Sequence, residues 1–428
     1  MVTFHGNHRK ALPLIQLINN VATHQKSVNE SGSLEPVPDL EYLLDKSNLK
    51  TIRENIQNRK GVGDIDLLHR VFETYKLQPD NSAVLEKLQN VALMIPNKSS
   101  PDTIIGKVPK VVKEYGQIQE GTKCQSFEQV CRNQGLLKFQ SLSTSPLVLG
   151  SRSYMLLGDL ARLERALVRW TLDKLIAKGW SYVSVPDLLP ENLINACGFV
   201  TTGRQNQIYK LRHDQGGHCL AGTSEMSMAG LYAGRSMPDN KPIKMCTYSQ
   251  CFRAEEAKNR VDKGFYRLHQ FTKVEMFAVC TPTESEGLLQ EIVDIQCELF
   301  SELELCYKLL EMPSEELGAA AYKKYDVEAW LHHLGHWGEI SSASNCTDYQ
   351  ARRLSILTDD KQFAHTVNGT GCAVPRLLMA IIEQNQASNG YIKVPECLQA
   401  YLKLQHLRPN KDISSRLHFV RSRQSKYF

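Results

Sequence analysis

The chain has 428 residues, enough for one large domain with an appendage, because single cores stop growing near roughly 250–300 residues. Its 42% hydrophobic and 23% charged content is that of an ordinary globular protein, and no run approaches the ~18 apolar residues of a membrane-spanning helix, which excludes membrane insertion. The net charge of +5 is mild but unevenly placed, and twelve cysteines without CxxC spacing give neither a zinc signature nor a small disulfide scaffold. Cys219, Cys246, Cys251 and Cys280 read as small buried apolar residues in a reducing compartment.

Residues 1–36 form the first segment. Its first 29 residues hold no Asp or Glu, include Arg9, Lys10 and Lys26, and carry the apolar stretch "KALPLIQLINN". This composition suits either a mitochondrial targeting peptide or a flexible start.

From 37 to 110 the pattern is helical. "DLEYLLDKSNLKTIRENIQNRKG" reads as one helix broken near Ser47 or two short ones, with Gly61 as a stop. Residues 64–76 and 81–94 follow as a short antiparallel hairpin around the turn "LQPDN". Pro96 and Pro101 flank a polar linker, and a boundary is expected between 100 and 120.

Residues 111–405 read as the main domain. A long amphipathic helix is expected at 159–179, ending at Gly179, and "WSYVSVPDLL" reads as a strand broken by Pro186. Strands are expected in "PIKMCTYSQCFRAEE", "FYRLHQFTKVEMFAVC" and "HWGEISSASNCT", and a helix in "RLLMAIIEQNQ". Neighbouring strands favour an α+β fold, an antiparallel sheet flanked by helices. Residues 406–428 form a basic tail, in which Arg408, Lys411, Arg416, Arg421, Arg423 and Lys426 face only Asp412. Such a tail suits RNA phosphates, or is merely solvated.

No GxxxxGK[ST] loop occurs, and no GxGxxG follows a strand. A nucleotide here must be held by side chains. Taken alone, "FRAEE…RLHQF.KVEMF" is compatible with charges lining a solvated sheet face.

Three segments change that balance: the helix and strand ending at Pro186, the Arg-x-Glu loop at 253–271, and "NGTGCAVPRLLMAIIEQNQ" at 368–386. With "TSE" at 223–225 and "GEISSASNCTDYQARR" at 338–353, the chain resembles the seryl-tRNA synthetases, a class II aminoacyl-tRNA synthetase family. The resemblance implies an antiparallel sheet flanked by helices and a short N-terminal helical hairpin in place of the long tRNA-binding arm. It also implies ATP and Mg²⁺ as cofactors if catalysis is retained.

By the same resemblance, Arg253 bridges the serine carboxylate and the α-phosphate, Glu255 accepts from the adenine amino group, and Phe271 stacks on the ring. Arg267 and Arg376 bind phosphates, and Mg²⁺ sits on Glu339 and Ser342. Thr223, Glu225, Glu275, Asn368 and Thr370 surround serine. Arg253 and Arg376 are the implied catalytic residues.

The chain departs from the family pattern in places. The loop "EAKNRVDKG" is short and lacks early glycines, Pro375 replaces a glycine before Arg376, and Gly222 replaces a proline before Thr223. Pro375 is expected in the first turn of a helix, with Val374 extended in a strand. Helices of about 14 residues reach only roughly 20 Å, too short for the family's usual grip on a long variable arm.

The combination of a preserved synthetase body, a short arm, an altered loop and an acid-poor N-terminus resembles most the seryl-tRNA synthetase-like proteins of insect mitochondria, a non-catalytic paralogue lineage. The resemblance implies a scaffold protein of the mitochondrial matrix that retains tRNA(Ser) binding and forms a homodimer, or a heterodimer with the active mitochondrial seryl-tRNA synthetase, through residues 159–186. The alternative is an active mitochondrial serine–tRNA ligase serving an atypical tRNA(Ser).

Overall fold

The computed structural model describes residues 36–118, 124–139, 152–199, 201, 207–212, 217–254, 264–387 and 390–410. The expected targeting segment, most of the basic tail, Glu255 and the loop that follows it therefore lie outside the described residues.

Four helices open the described chain: α1 (Leu40–Leu44), α2 (Leu49–Asn58), α3 (Ile65–Leu77) and α4 (Ser82–Leu93). A 3₁₀ turn at Lys46–Asn48 makes the break anticipated at Ser47. Asp64 and Asn81 cap the hairpin helices, their carboxylate and amide oxygens accepting from the backbone N–H of Leu67 and of Ala83 and Val84. Leu68, Val71, Phe72 and Tyr75 of α3 pack with Leu88 and Ala92 of α4 and with α1 and α2, giving the arm its own core. The helices have 13 and 12 residues, so each extends about 20 Å.

The body is built on strands β1 (Lys110–Tyr115), β2 (Leu137–Phe139), β3 (Tyr154–Leu156), β4 (Ser181–Tyr182), β5 (Leu188–Pro190), β6 (His218–Leu220), β7 (Ile243–Phe252) and β8 (Gln270–Cys280). It continues through β9 (Tyr307–Glu311), β10 (Lys323–Leu331), β11 (His336–Thr347) and β12 (His365–Ala373). Eight of these strands form one sheet in the order β1-β9-β10-β11-β12-β8-β7-β4, antiparallel except for β4 beside β7. This is the α+β architecture anticipated from the sequence.

Helices α5 (Gly158–Ala177), α6 (Ser285–Glu302) and α7 (Val374–Gln384) cover one face. Alternation along β8 decides what meets them: Val274, Met276, Ala278 and Cys280 point into the core under these helices. Phe277 and Val279 point the other way, into a second core with Met226, Met228 and Leu354. Gly179 closes α5 at φ +84°, a conformation that favours glycine. Gly369 in β12 admits the close approach of α6, since a Cβ there would meet Ile292 Cγ2 at 2.3 Å. All four cysteines read as apolar residues are fully buried. Among the described residues no helix is long and apolar enough to cross a membrane.

Candidate active site

On its second face, β8 presents Phe271, Lys273 and Glu275 at two-residue intervals. Arg253 follows the end of β7, the neighbour of β8. Its backbone N–H donates to His269 O at 2.9 Å, its Nε donates to Gly222 O at 3.4 Å, and its guanidinium lies 5.3 Å from the centre of the Phe271 ring. Gly222 has room for a Cβ, the nearest atom being Ile208 Cδ1 at 3.5 Å, so the loop does not require glycine for space.

From the other side α7 delivers Arg376, whose Nη1 donates to Glu339 O and pairs with Glu339 Oε2, both at 3.1 Å. Tyr266 braces the pair: its hydroxyl donates to Glu339 O at 3.0 Å and the Arg376 guanidinium stacks 4.4 Å above its ring. Pro375 occupies the first turn of α7, as anticipated. Val374, anticipated as extended, instead begins the helix; Ala373 is the extended N-cap, so the strand ends one residue earlier.

These side chains line one hollow of about 590 Å³ together with Arg267, Ser342 and Thr370. Among the described residues three arginines, Arg253, Arg267 and Arg376, and one carboxylate, Glu339, line it, while the ammonium of Lys273, also in the lining, is paired with Glu275. That excess suits a polyanion such as a polyphosphate. Burial alone would raise the Glu339 carboxyl, but Arg376, Lys324 and Arg253 outweigh it and hold it below the usual carboxylate range.

At the inner end of the hollow the remaining anticipated residues form two hydrogen-bonded clusters, linked where the Glu225 N–H donates to Thr223 Oγ1 at 3.5 Å. Asn368 Nδ2 donates to Glu225 Oε2 at 2.6 Å, and Gln350 Nε2 donates to Glu225 Oε1 at 3.0 Å. Thr370 Oγ1 donates to Glu275 Oε2 at 3.3 Å, and Lys273 Nζ donates to Thr223 Oγ1 at 2.7 Å while pairing with Glu275. Burial, reinforced by the Glu275 charge, pushes the Glu225 carboxyl up to about 7.

This shift has a measurable sign. Between about pH 4.5 and 7 the folded protein holds a proton on Glu225 that the unfolded chain releases, so stability falls as pH rises through that window. The difference amounts to about 3 kcal/mol. Urea unfolding at pH 5 and pH 7.5 spans about 2 kcal/mol of this loss, and the drop in stability between the two is expected to be smaller by that amount in Glu225→Gln than in the wild type.

Every anticipated site residue within the described chain thus joins this hollow or its inner network. Sequence reading passed over Lys273, Gln350, Tyr266 and Asp326. Lys273 had a signal, because it sits two residues from both Phe271 and Glu275 on one strand face. Asp326 lies opposite Ser342 in the β10–β11 register, is buried, and pairs with Lys324 at 2.7 Å.

Residues 209–385 match the model of the tRNA synthetase class II core domain (G, H, P, S and T). The mitochondrial serine–tRNA ligase of Mus musculus is 39% identical over 80% of this chain and 70% of its own length. The chain belongs to the seryl-tRNA synthetase family. Among solved seryl-tRNA synthetases, the Pyrococcus horikoshii enzyme complexed with ATP superposes with a TM-score of 0.73 at 27% identity, covering 93% of each chain. The cytoplasmic enzyme of Naegleria fowleri, in complex with AMP, gives 0.75 at 26% identity, over 86% of this chain and 98% of that one. The seryl-tRNA synthetase core thus accounts for the sheet and the helices that flank it.

Proposed function

We propose that the protein is an active serine–tRNA ligase, which joins the serine carboxylate to the α-phosphate of ATP, releases pyrophosphate, and passes the seryl group to a tRNA(Ser). The observation that carries this reading is the continuity of the site: a cation-rich hollow with a stacking ring opens onto a buried network of Thr223, Glu225, Glu275, Asn368 and Thr370. The resemblance to non-catalytic paralogues pointed the other way. It rested on a preserved body joined to a short arm, an altered loop and an acid-poor start, and none of these removes a side chain from this network.

In this reading Phe271 stacks on adenine, with Glu255 toward its amino group. Arg253 bridges the two reacting anions, and the Arg267 and Arg376 forks grip the outer phosphates. Catalysis is then chiefly positioning and neutralisation of growing negative charge. Thr223, Glu225 and Glu275 surround the serine ammonium and hydroxyl, with Asn368 and Thr370 closing the pocket, a pocket type that rejects analogues lacking the OH.

Glu339 and Ser342 suit Mg²⁺. Both offer hard oxygens, and the buried Oδ1 of Asp326, across the strand from Ser342, has no hydrogen-bond partner. Bound there, the ion would neutralise the phosphates that leave as pyrophosphate.

The likeness to a mitochondrial ligase and the acid-poor start support a mitochondrial matrix location. An arm only 12–13 residues per helix fits a tRNA(Ser) without a long variable arm. Boundaries at 37, 111 and 406 separate leader, arm, body and tail in this reading, and α5 with β4 forms the contact surface of a homodimer or of a heterodimer with another mitochondrial seryl-tRNA synthetase. Purified protein is expected to exchange labelled pyrophosphate into ATP only when serine is present. Absence of exchange, with no thermal stabilisation by ATP and Mg²⁺, would return the protein to the silent scaffold reading.

A further inference from the structure

Successive residues on one face of β8 stand about 7 Å apart. In the proposed function the first, Phe271, carries the nucleoside and the third, Glu275, the amino-acid ammonium. The middle residue, Lys273, therefore stands where the amino-acid carboxylate meets the α-phosphate. Its ammonium is not aimed there: Nζ pairs with Glu275 Oε2 and donates to Thr223 Oγ1 at 2.7 Å, with the side chain only 7% exposed. Both partners are groups that the proposed function gives to serine.

We propose that Lys273 is a resident ammonium that holds the amino-acid seat in the free protein. It cedes Glu275 and Thr223 to the ammonium of an incoming amino acid and turns toward the α-phosphate as an added cation. The inference rests on the proposed function of the same site.

The energetics favour such an exchange. A buried carboxylate does not release a cation into nothing, because the uncompensated charge costs several kcal/mol. Replacing one ammonium by another keeps the charge balance of the seat. The junction itself is flanked by Arg253, Arg267 and Arg376, which repel Lys273 while the hollow is empty and cease to do so once phosphates neutralise them. The amino acid displaces Lys273 from one side and the nucleotide attracts it from the other, so the two ligands assist each other's binding. No bond is made or broken in this step.

The test uses α,β-methylene-ATP with Mg²⁺, whose α-phosphate cannot lose pyrophosphate, and calorimetry on the full chain. Serine is expected to tighten its binding about tenfold, within the usual range of coupling between sites. 3-Hydroxypropanoate, which keeps the hydroxyl and carboxylate but lacks the ammonium, is expected to leave it unchanged. In Lys273→Met and Lys273→Gln, each checked by thermal melting, the ratio of affinities with and without serine is expected to fall to within twofold of one.

Equal coupling by serine and 3-hydroxypropanoate, a comparison that needs no variant, would overturn the inference alone. So would coupling that persists in both variants, or wild-type protein that binds both ligands independently. Wild-type protein that binds neither would overturn the reading of the site together with the inference.

Discussion

Arg253→Ala is expected to lower serine-dependent pyrophosphate exchange by about 10³-fold while shifting the melting temperature little. The asymmetry follows from how the residue is held. Its guanidinium has one long hydrogen bond to Gly222 O at 3.4 Å and a stacking contact with Phe271, so the fold loses no more than about 1 kcal/mol with it. In the proposed reaction the same fork bridges a carboxylate and a phosphate as charge gathers between them. Removing one preorganised donor of this kind costs about 10²–10³ in rate, and Arg253 supplies two. Arg253→Lys is expected to recover little, because a point-charge ammonium does not reproduce a bidentate fork. Exchange rates and melting curves for the two variants check this, and exchange that stays within tenfold of wild type would remove Arg253 from the bridging role.

The elements around this site were readable because their local signals agree. The period of α5 stops at a glycine in the left-handed region, and the segments of β7, β8 and β11 are rich in β-branched, aromatic and alternating residues. The stretch from α6 to β9 was not read. Its sequence, "LLQEIVDIQCELFSELELCYKLLEM", is apolar at intervals that suit helix and strand alike, and the reversal between them is made by Glu304 at φ +57°, with no glycine or proline to announce it. Within the site, the family motifs located the arginines and acids, but their partners come from register and long-range packing. Asp326 meets Ser342 only because β10 pairs with β11 past a bulge between Val327 and Glu328. Gln350 reaches Glu225 across 125 residues of chain. Arg408, at the start of the tail that suits RNA phosphates or mere solvation, pairs with Asp159 at 2.8 Å and ties the C-terminal end of the described chain to α5.

The attachment of the arm was equally invisible in the sequence, and it yields the second large effect. Arg59 is 4% exposed and has only carbonyl partners: Nη1 donates to Asn97 O at 2.7 Å, and Nη2 donates to Gly318 O. Burial lowers its pKa to about 10, so it remains a cation at neutral pH. Asn97 completes the seam, its Nδ2 donating to Ala320 O and to Cys346 O, both at 2.8 Å. Backbone carbonyls of the body are thus satisfied by two side chains of the arm. Arg59→Met keeps much of the apolar stem but removes every donor, leaving buried carbonyls unpaired, and is expected to cost about 3 kcal/mol. The loss is expected to be local. The arm has its own core in α1–α4, so hydrogen exchange should accelerate at residues 97–100 and 318–320 while amides inside α3 and in β7 and β8 keep their protection. Acceleration spread evenly over arm and body would show that Arg59 supports the whole fold instead of the seam. The seam also lies near the chemistry, since Cys346 Sγ is 3.9 Å from Asn368 Oδ1, and Asn368 holds Glu225. Loosening the arm is therefore expected to raise the KM for serine several-fold and leave the KM for ATP unchanged, because the side chains proposed to grip the phosphates, Arg253, Arg267 and Arg376, lie just after β7, just before β8 and on α7, outside the hydrogen-bonded seam.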